Sequence, residues 1–280
     1  MSLKLYAVVV LYNTSITNSI TCVNLSKISG HDITTIVIDN STKDNNNKFL
    51  AVREGIEYIS MHGNAGLPKA YNHVLDYLTG KEGIVIWFDD DTNVTQKFFD
   101  ELVSKAELYP KVDIFTPIIE GQDGKFWSPN KARFFKNKQL TNVNDKIRDE
   151  EYNAINSCTA SRLRVFKNYR YDERLFLDQV DHSFCRDQRE LHRKFCKLNC
   201  IIHHNFSTKD IMPSLKDVQK RYSIMIPDFL TYCNTDSKHL RLGYIKVIGW
   251  GVRESLKYKH IKFMSWFISQ INVWKRNNYY

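Results

Sequence analysis

Residues 83–91 read Gly83-Ile84-Val85-Ile86-Trp87-Phe88-Asp89-Asp90-Asp91 and decide the fold class of this chain. The apolar run is rich in β-branched and aromatic residues, which predicts a buried strand that ends at the three carboxylates. Ligands of open α/β sheets bind outside the carboxyl ends of such strands. Neighbouring carboxylates stay ionised only when a cation or hydrogen-bond donors offset their repulsion. The triplet therefore indicates either a divalent metal that carries a phosphorylated substrate or a solvated turn that caps the next helix.

Short apolar runs alternate with helical patterns on both sides of this strand. The predicted strands are 5–11, 34–38, 56–59, 84–88 and 112–115, and the predicted helices are 15–28, 45–53, 67–78 and 96–108. This alternation predicts an α/β fold with a mostly parallel sheet covered by helices on both faces.

The same pattern predicts how the chain is organised. We expect one α/β domain over residues 1–210, followed by a helical extension over 211–280. The irregular stretch from Gly121 to Asp149 is either a functional lid or plain surface.

The composition indicates a chain with a substantial core and reduced thiols. Apolar residues make up 42% of the 280 positions, and a chain of this length can bury a large core. We find no secretory signal and no stretch of about 18 uncharged apolar residues. A cytoplasmic protein with six reduced cysteines is therefore expected. The cluster of Cys196, Cys200, His203 and His204 is disfavoured as a zinc site because its spacing fits no common zinc motif.

Polar residues follow each of the first four predicted strands. They are Tyr12-Asn13, Asp39-Asn40, Asn64-x-Gly66 and the Asp triplet. A nucleotide needs an acceptor for its base N–H, a donor for a base carbonyl, and backbone that approaches phosphate closely. Pro68 suits the first turn of the next helix, whose amino end attracts phosphate. The sequence therefore predicts a nucleotide site, and the alternative for this helix is a capped element that only packs on the sheet.

These motifs resemble family 2 glycosyltransferases, which have the Rossmann-like GT-A fold. The matching stretches are residues 8–13, 37–41, 64–72 and 88–92, in the order and spacing of that family. Residues 171–181, which read Tyr-Asp-Glu-Arg-Leu-Phe-Leu-Asp-Gln-Val-Asp, resemble the acceptor-side motif of its rhamnosyltransferase-like and galactofuranosyltransferase-like branches. The resemblance covers roughly residues 4–210 and leaves the C-terminal portion unmatched. It implies a nucleotide-binding half over about residues 1–92 and an acceptor-binding half over about residues 93–210.

The resemblance implies how a donor nucleotide is held. Asp89 and Asp91 would hold the ribose and a Mn²⁺ or Mg²⁺ ion, which stabilises the leaving diphosphate as a Lewis acid. Asp39 would face the base of a UDP- or dTDP-linked sugar. The other implied nucleotide-binding residues are Tyr12, Asn13, Asn40, Asn64, Gly66, Asn72 and Asp90.

The resemblance also implies a catalytic base. Asp181 matches the carboxylate that deprotonates the acceptor hydroxyl, which gives transfer with inversion, while the alternatives are a helix cap at Asp181 or Asp178 as the base. Ser157 and Asp178 would bind the acceptor. Cys158 stands where relatives commonly have glycine. One of His203 and His204, preferably His204, would lie near the metal or the diphosphate.

The C-terminal residues carry most of the net positive charge. Residues 241–280 contain eight Lys or Arg and one acid, in a chain of formal net charge +9. An apolar stripe with basic flanks, typical of a helix in a membrane interface, runs through this segment. It comprises Met264, Phe267, Ile268, Ile271 and Trp274. The alternative is a helix docked on the catalytic domain or on a second subunit of a homo-oligomer.

We therefore expect a metal-dependent, inverting glycosyltransferase at the inner face of the cell membrane. It would move rhamnose, galactofuranose or another hexose to a growing, lipid-linked cell-surface polysaccharide. A nucleotidyltransferase is the alternative enzyme, and the Asp181 motif disfavours it. A basic nucleic-acid-binding module is the alternative of another class. No nucleic-acid partner is expected, because carboxylates at the strand ends would repel phosphate in the absence of a metal.

Overall fold

The computed structural model describes residues 2–134, 136–204 and 213–279. The chain forms two compact units, Met1–Tyr171 with Phe184–Phe206 and Asp172–Ser183 with Ser207–Tyr280. The predicted boundary between residues 210 and 211 lies outside the described residues and stays a prediction.

Among the described residues, the first unit contains a ten-stranded sheet. Its order is β3-β2-β1-β4-β9-β5-β6-β7, with β10 beside β5 and β8 beside β6 in addition. The strands are β1 Lys4–Leu11, β2 Asp32–Asp39, β3 Glu57–Ser60, β4 Ile84–Asp89, β5 Ile114–Gly121, β6 Phe126–Lys131, β7 Lys138–Leu140, β8 Tyr152–Asn153, β9 Ala160–Arg162 and β10 Phe195–His204. Strands β3, β2, β1 and β4 are parallel, and β9 runs antiparallel between β4 and β5. The predicted mostly parallel α/β sheet is confirmed.

Four helices pack with the first four strands at positions close to the predicted ones. They are α1 Ile20–Leu25, α2 Asn47–Glu54, α3 Leu67–Tyr77 and α4 Gln96–Leu108. Helix α1 is shorter than predicted because Ser19 adopts an extended backbone and its hydroxyl accepts a hydrogen bond from Cys22 N, which starts the helix there. Apolar residues of β1, β4 and α4 form the core between sheet and helices. Helix α5 spans Val180–Glu190.

The stretch predicted as irregular between Gly121 and Asp149 is regular in part. Strand β6 pairs with β5 and β7 pairs with β6, both antiparallel, so the sheet continues into this region. The sequence shows no alternating apolar pattern here because these strands mix lysine, proline and polar residues. The pairing comes from the neighbouring β5 strand rather than from a pattern in the segment itself.

The second unit contains three long helices, α6 Leu215–Cys233, α7 Ser237–Lys257 and α8 Lys262–Tyr279. The prediction that the C-terminal portion is helical is confirmed. Gly251 lets α7 approach α8 closely, because a Cβ there would lie 2.8 Å from the Met264 sulfur. None of the described helices combines the length and the apolar composition that crossing a membrane requires.

Three of the five residues of the α8 apolar stripe lie inside this helical unit, and Ile268 is exposed. Phe267, Ile271 and Trp274 are buried. The Phe267 ring centroid lies 4.7 Å from that of Tyr222 on α6, and Trp274 Nε1 donates to the Thr231 hydroxyl at 3.0 Å. These three members of the predicted stripe are therefore covered by protein, and the expectation that they face a membrane is wrong.

Candidate active site

The strand register brings the predicted donor-site residues to one edge of the sheet. Asp39 at the end of β2 pairs with Leu11, and Asp89 at the end of β4 pairs with Val10 of the intervening β1. Ser60 at the end of β3 pairs with Asp39 on its other side. Because these strands are parallel, their carboxyl ends share the edge where ligands of open α/β sheets bind.

Asp39 is buried and held by three hydrogen bonds. Its carboxylate accepts from Asn47 Nδ2 at 2.9 Å, from the Tyr58 hydroxyl at 3.1 Å and from Ser41 N at 3.1 Å. An ionised carboxylate has about four acceptor sites, so a ligand N–H finds an acceptor that is already oriented. Our sequence analysis missed Asn47 and Tyr58, because both reach Asp39 from other elements.

Tyr12 and Asn13 directly follow the first strand. Asn13 has a left-handed backbone, with φ 55°, and its side-chain oxygen accepts from Thr42 N at 3.0 Å and Lys43 N at 3.1 Å. Asn13 thus ties the loop after β1 to the loop after β2. The Tyr12 side chain is 50% exposed at this edge and is available to a ligand.

The amides of Asn40 and Asn64 shape the loop that leads into α3. Asn40 Nδ2 donates to Asn64 Oδ1 at 3.1 Å, and Asn40 Oδ1 accepts from Ala65 N at 2.8 Å. Gly66 has φ 87° and precedes α3 directly, a backbone conformation that glycine adopts without steric cost. Both asparagines therefore have a structural role here, and their predicted contact with nucleotide stays a prediction.

The backbone of the Asp triplet is fixed by the beginning of α1. The Thr21 hydroxyl donates to the Asp89 carbonyl, and the Ser19 hydroxyl donates to the Asp90 carbonyl at 2.8 Å. Asp89 and Asp90 are half-buried, whereas Asp91 is exposed. The three carboxylates therefore emerge from a rigid strand end, with Asp91 outermost.

The electrostatics of the triplet favour a cation. Burial raises the pKa of Asp90, a hydrogen bond from the Thr14 hydroxyl opposes this shift, and the neighbouring Asp91 charge adds to it. Within the described residues, no group of three or more His, Cys, Asp or Glu side chains surrounds a metal position. A magnesium ion that carries a diphosphate needs only one or two protein carboxylates, since phosphate oxygens and water complete its coordination. Asp89 and Asp91 fit that limited role.

His203 and His204 end strand β10, whose last residue pairs with Gly121 of β5. Successive side chains of a strand point to opposite faces of the sheet, so the two imidazoles cannot serve the same site. His203 Nδ1 lies 3.0 Å from Glu120 Oε2. This pairing supports the preference for His204, whose part in a metal site stays a prediction.

Ser157 contacts Thr92, the residue after the triplet, and Cys158 contacts Trp87 of the strand that precedes it. The Ser157 and Thr92 hydroxyls are 2.9 Å apart and buried, and Cys158 N donates to the Trp87 carbonyl at 2.7 Å. Cys158 has φ 63°, in the left-handed region that favours glycine. This backbone gives a physical reason for the glycine of relatives at this position. The predicted acceptor contact of Ser157 is not tested by these bonds.

Asn72 joins helix α3 to Tyr171, the first residue of the acceptor-side motif. Its Nδ2 donates to the Tyr171 carbonyl at 2.9 Å, and its Oδ1 accepts from Tyr171 N at 2.8 Å. Asn72 is buried. The structure therefore shows a backbone-fixing role for Asn72, and its predicted nucleotide contact stays a prediction.

In the second unit, helix α6 fixes the acceptor-side motif. Asp228 is only 2% exposed, and its carboxylate accepts from the backbone N–H groups of Phe176, Leu177 and Asp178 at 2.9, 2.8 and 2.7 Å. Arg221 forms a bidentate ion pair with the Asp178 carboxylate. Our sequence analysis missed both residues of α6. An aspartate within the apolar run 226–230 was the available signal.

Asp181 lies in the first turn of α5 and is half-buried. Its Oδ1 accepts from His182 N at 2.7 Å, whereas a helix cap accepts from the second or third N–H that follows it. This bond therefore does not make Asp181 a helix cap, and both roles stay predictions. Arg221 binds both carboxylate oxygens of Asp178, so Asp178 could take a proton from the acceptor only by breaking a charge-assisted hydrogen bond. This geometry favours Asp181 over Asp178 as a base.

We expect Asp228→Asn to lower the free energy of unfolding by at least about 1 kcal/mol, because an amide cannot accept all three N–H groups and leaves a buried donor unpaired. Urea unfolding followed by circular dichroism measures this change. The matched control is Glu107→Gln on the exposed side of α4, which should unfold like the wild type. Equal midpoints for Asp228→Asn and the control would contradict the bonding role of Asp228.

The fold and the strand-end site define a class, the GT-A proteins with an acidic strand end at a nucleotide-binding edge. The family model described as Glycosyl transferase family 2 matches residues 6–170, more than half of the sequence. The chain belongs to this family, as its motifs predicted.

Comparison with a known protein agrees with this family assignment. The dTDP-rhamnosyl transferase RfbF of Shigella flexneri is 26% identical over 194 residues, which cover 66% of this chain and 63% of that protein. The chain thus spans less than two thirds of this relative.

Two solved structures share the fold. S. aureus TarS 1-349 in complex with UDP-GlcNAc has a TM-score of 0.57 and 13% identity, over 97% of this chain and 80% of that one. Glucosyl-3-phosphoglycerate synthase from Mycobacterium tuberculosis, in complex with Mn²⁺, UDP and phosphoglyceric acid, has a TM-score of 0.54 and 13% identity, over 84% and 80%. At this identity both show the fold alone.

Proposed function

We propose that this protein transfers a sugar from a nucleoside diphosphate donor to a saccharide hydroxyl, with inversion at the anomeric carbon. One observation carries the proposal. The register of the parallel strands places Asp39 of β2 and Asp89 of β4 on either side of the carboxyl end of β1. Family membership supports the reaction class. The dTDP-rhamnosyl transferase relative favours dTDP-rhamnose as the donor, and a growing, lipid-linked cell-surface polysaccharide is the acceptor that we propose.

The donor site is assembled from the strand ends. Asp39, oriented by Asn47 and Tyr58, accepts the N–H of the base, and Asp89 binds the ribose hydroxyls. Asp91, with His204 as a further ligand, would hold Mn²⁺ or Mg²⁺. Such an ion, when bound, supplies Lewis-acid stabilisation of the leaving diphosphate.

Asp181 is the general base in this proposal. It takes the proton of the acceptor hydroxyl as that oxygen forms its bond to the anomeric carbon. The bond from the anomeric carbon to the phosphate oxygen breaks in the same step, and its electrons leave with the nucleoside diphosphate. A single in-line displacement inverts the configuration of the sugar. Asp228 and Arg221 act as positioning residues, because they hold the segment that precedes Asp181.

Calorimetry with dTDP and UDP in the presence of Mn²⁺ tests the donor site. We expect one of the two nucleotides to bind, and Asp39→Asn to weaken its binding by about tenfold, because the base N–H loses a charged acceptor. Asp44→Asn, at an exposed position of the same region, is the matched control. Binding of a generic oligonucleotide with no binding of either nucleotide would overturn the proposal. Release of pyrophosphate from a nucleoside triphosphate and a sugar phosphate would instead identify a nucleotidyltransferase.

A further inference from the structure

Helix α7 has apolar side chains on two opposite faces, and in the part of the chain that the structure describes, protein covers only one of them. The inward face buries Leu240, Gly243, Val247 and Gly251. The outward face presents Ile245, Ile248, Val252 and Leu256, which are 59%, 40%, 47% and 74% exposed. Their spacing of three, four and four residues places them on one side of the helix. A surface helix of a globular protein is normally polar on that side.

The outward face is also strongly basic. Lys238 and Arg241 lie two turns and one turn before Ile245, respectively, on the same side of α7, and both are exposed. Lys257 is the last residue of the helix, about 100° around its axis from Leu256, and Lys259 and Lys262 follow the helix; all three are exposed. An apolar stripe with lysine and arginine at both ends therefore faces away from the other helices of this unit.

The one acidic residue within α7 does not neutralise this face. Glu254 is buried on the inward side. Its carboxylate accepts from the Tyr222 hydroxyl at 3.1 Å and pairs with Arg253 at 2.7 Å. The charge of Lys238, Arg241 and Lys257 is thus left without a carboxylate partner from within the helix.

We propose that the outward face of α7 binds an anionic lipid surface, with the helix lying in the plane of the interface. The four aliphatic side chains enter the boundary between headgroups and acyl chains, and the basic side chains bind lipid phosphates. A second copy of the chain is a poorer occupant, because a two-fold contact through this face would bring two basic surfaces together. The inference does not depend on the donor or the acceptor of the transfer reaction.

Vesicle co-sedimentation of the full chain tests this inference. The wild-type protein should sediment with phosphatidylglycerol-containing vesicles at low salt and less at high salt, and should stay in the supernatant with pure phosphatidylcholine. The triple variant Ile245→Ser/Val252→Ser/Leu256→Ser should lose about tenfold or more in vesicle affinity, because it removes the inserted surface. The matched control is Phe49→Ser/Val52→Ser on α2, whose side chains are also exposed and which should bind like the wild type.

The basic contribution is tested separately with Lys257→Gln/Lys259→Gln, which should weaken binding about fivefold for each charge removed. Lys48→Gln/Lys111→Gln, at exposed positions of the first unit, is the matched control. Circular dichroism and nucleotide affinity verify that every variant is folded. The inference is overturned if wild-type protein stays in the supernatant with anionic vesicles at low salt. It is equally overturned if the triple variant binds vesicles normally, or if sedimentation velocity shows that the variant only converts a dimer to a monomer.

Discussion

Asp181→Asn should lower the transfer rate by about 10²–10⁴-fold, the usual contribution of a general base, and leave donor affinity unchanged. The amide keeps the shape of the side chain and an oxygen for the His182 N–H bond, but it cannot take the acceptor proton. Asp39 and Asp89 lie at the ends of strands β2 and β4, whereas Asp181 lies on helix α5. The substitution should therefore leave the donor site unchanged. Donor affinity by calorimetry and transfer rate with saturating donor measure the two properties independently.

Asp178→Asn is the matched control for this prediction. It lies three residues earlier in the same motif and loses the charge of its pair with Arg221. We expect it to raise the KM for the acceptor and to retain most of kcat, because it loosens the segment without removing the base. The assignment fails if Asp178→Asn is inactive and Asp181→Asn transfers sugar near the wild-type rate.

Asp91→Ala should weaken nucleoside diphosphate binding in Mn²⁺ by about 10- to 100-fold, the loss typical when a metal site is impaired. Asp91 is the outermost carboxylate of the triplet, and without a cation the triplet and the diphosphate repel each other. Removing the metal with EDTA should weaken wild-type binding by a similar factor. Calorimetry on both proteins, in Mn²⁺ and in EDTA, measures the four affinities.

Combining Asp91→Ala with EDTA treatment distinguishes a metal ligand from a carboxylate that only lies near the metal. If Asp91 holds the metal, EDTA should have little further effect on Asp91→Ala, because both changes remove the same interaction. Glu107→Ala on α4, an exposed carboxylate of the same unit, should respond to EDTA as the wild type does. Equal wild-type affinity in Mn²⁺ and in EDTA would refute the metal assignment.

Much of the donor-side geometry could be predicted from local pattern. The run that ends at Asp89 is apolar on both faces, which identifies a buried parallel strand and fixes where its carboxylates emerge. Helix α4 has the predicted bounds, Gln96–Leu108, because its apolar spacing and its flanking residues agree. The second half of the sheet was harder to predict from the sequence. The position of the three-residue strand β9 between β4 and β5 depends only on its pairing with these two strands.

Sequence by itself determined the α/β class, the family and the residues at the ends of the parallel strands. The periodicity of apolar residues and the order of the motifs can both be recognised along the chain without knowing its tertiary contacts. The tertiary structure decided which partners hold those residues: Asn47 and Tyr58 on Asp39, and Asp228 on the acceptor-side segment. It also decided which helix of the C-terminal unit exposes apolar surface. Phe267, Ile271 and Trp274 of the α8 stripe are packed within that unit, whereas Ile268 and the outward stripe of α7 are exposed. A spacing of three and four residues is the same whether protein, lipid or water covers the helix.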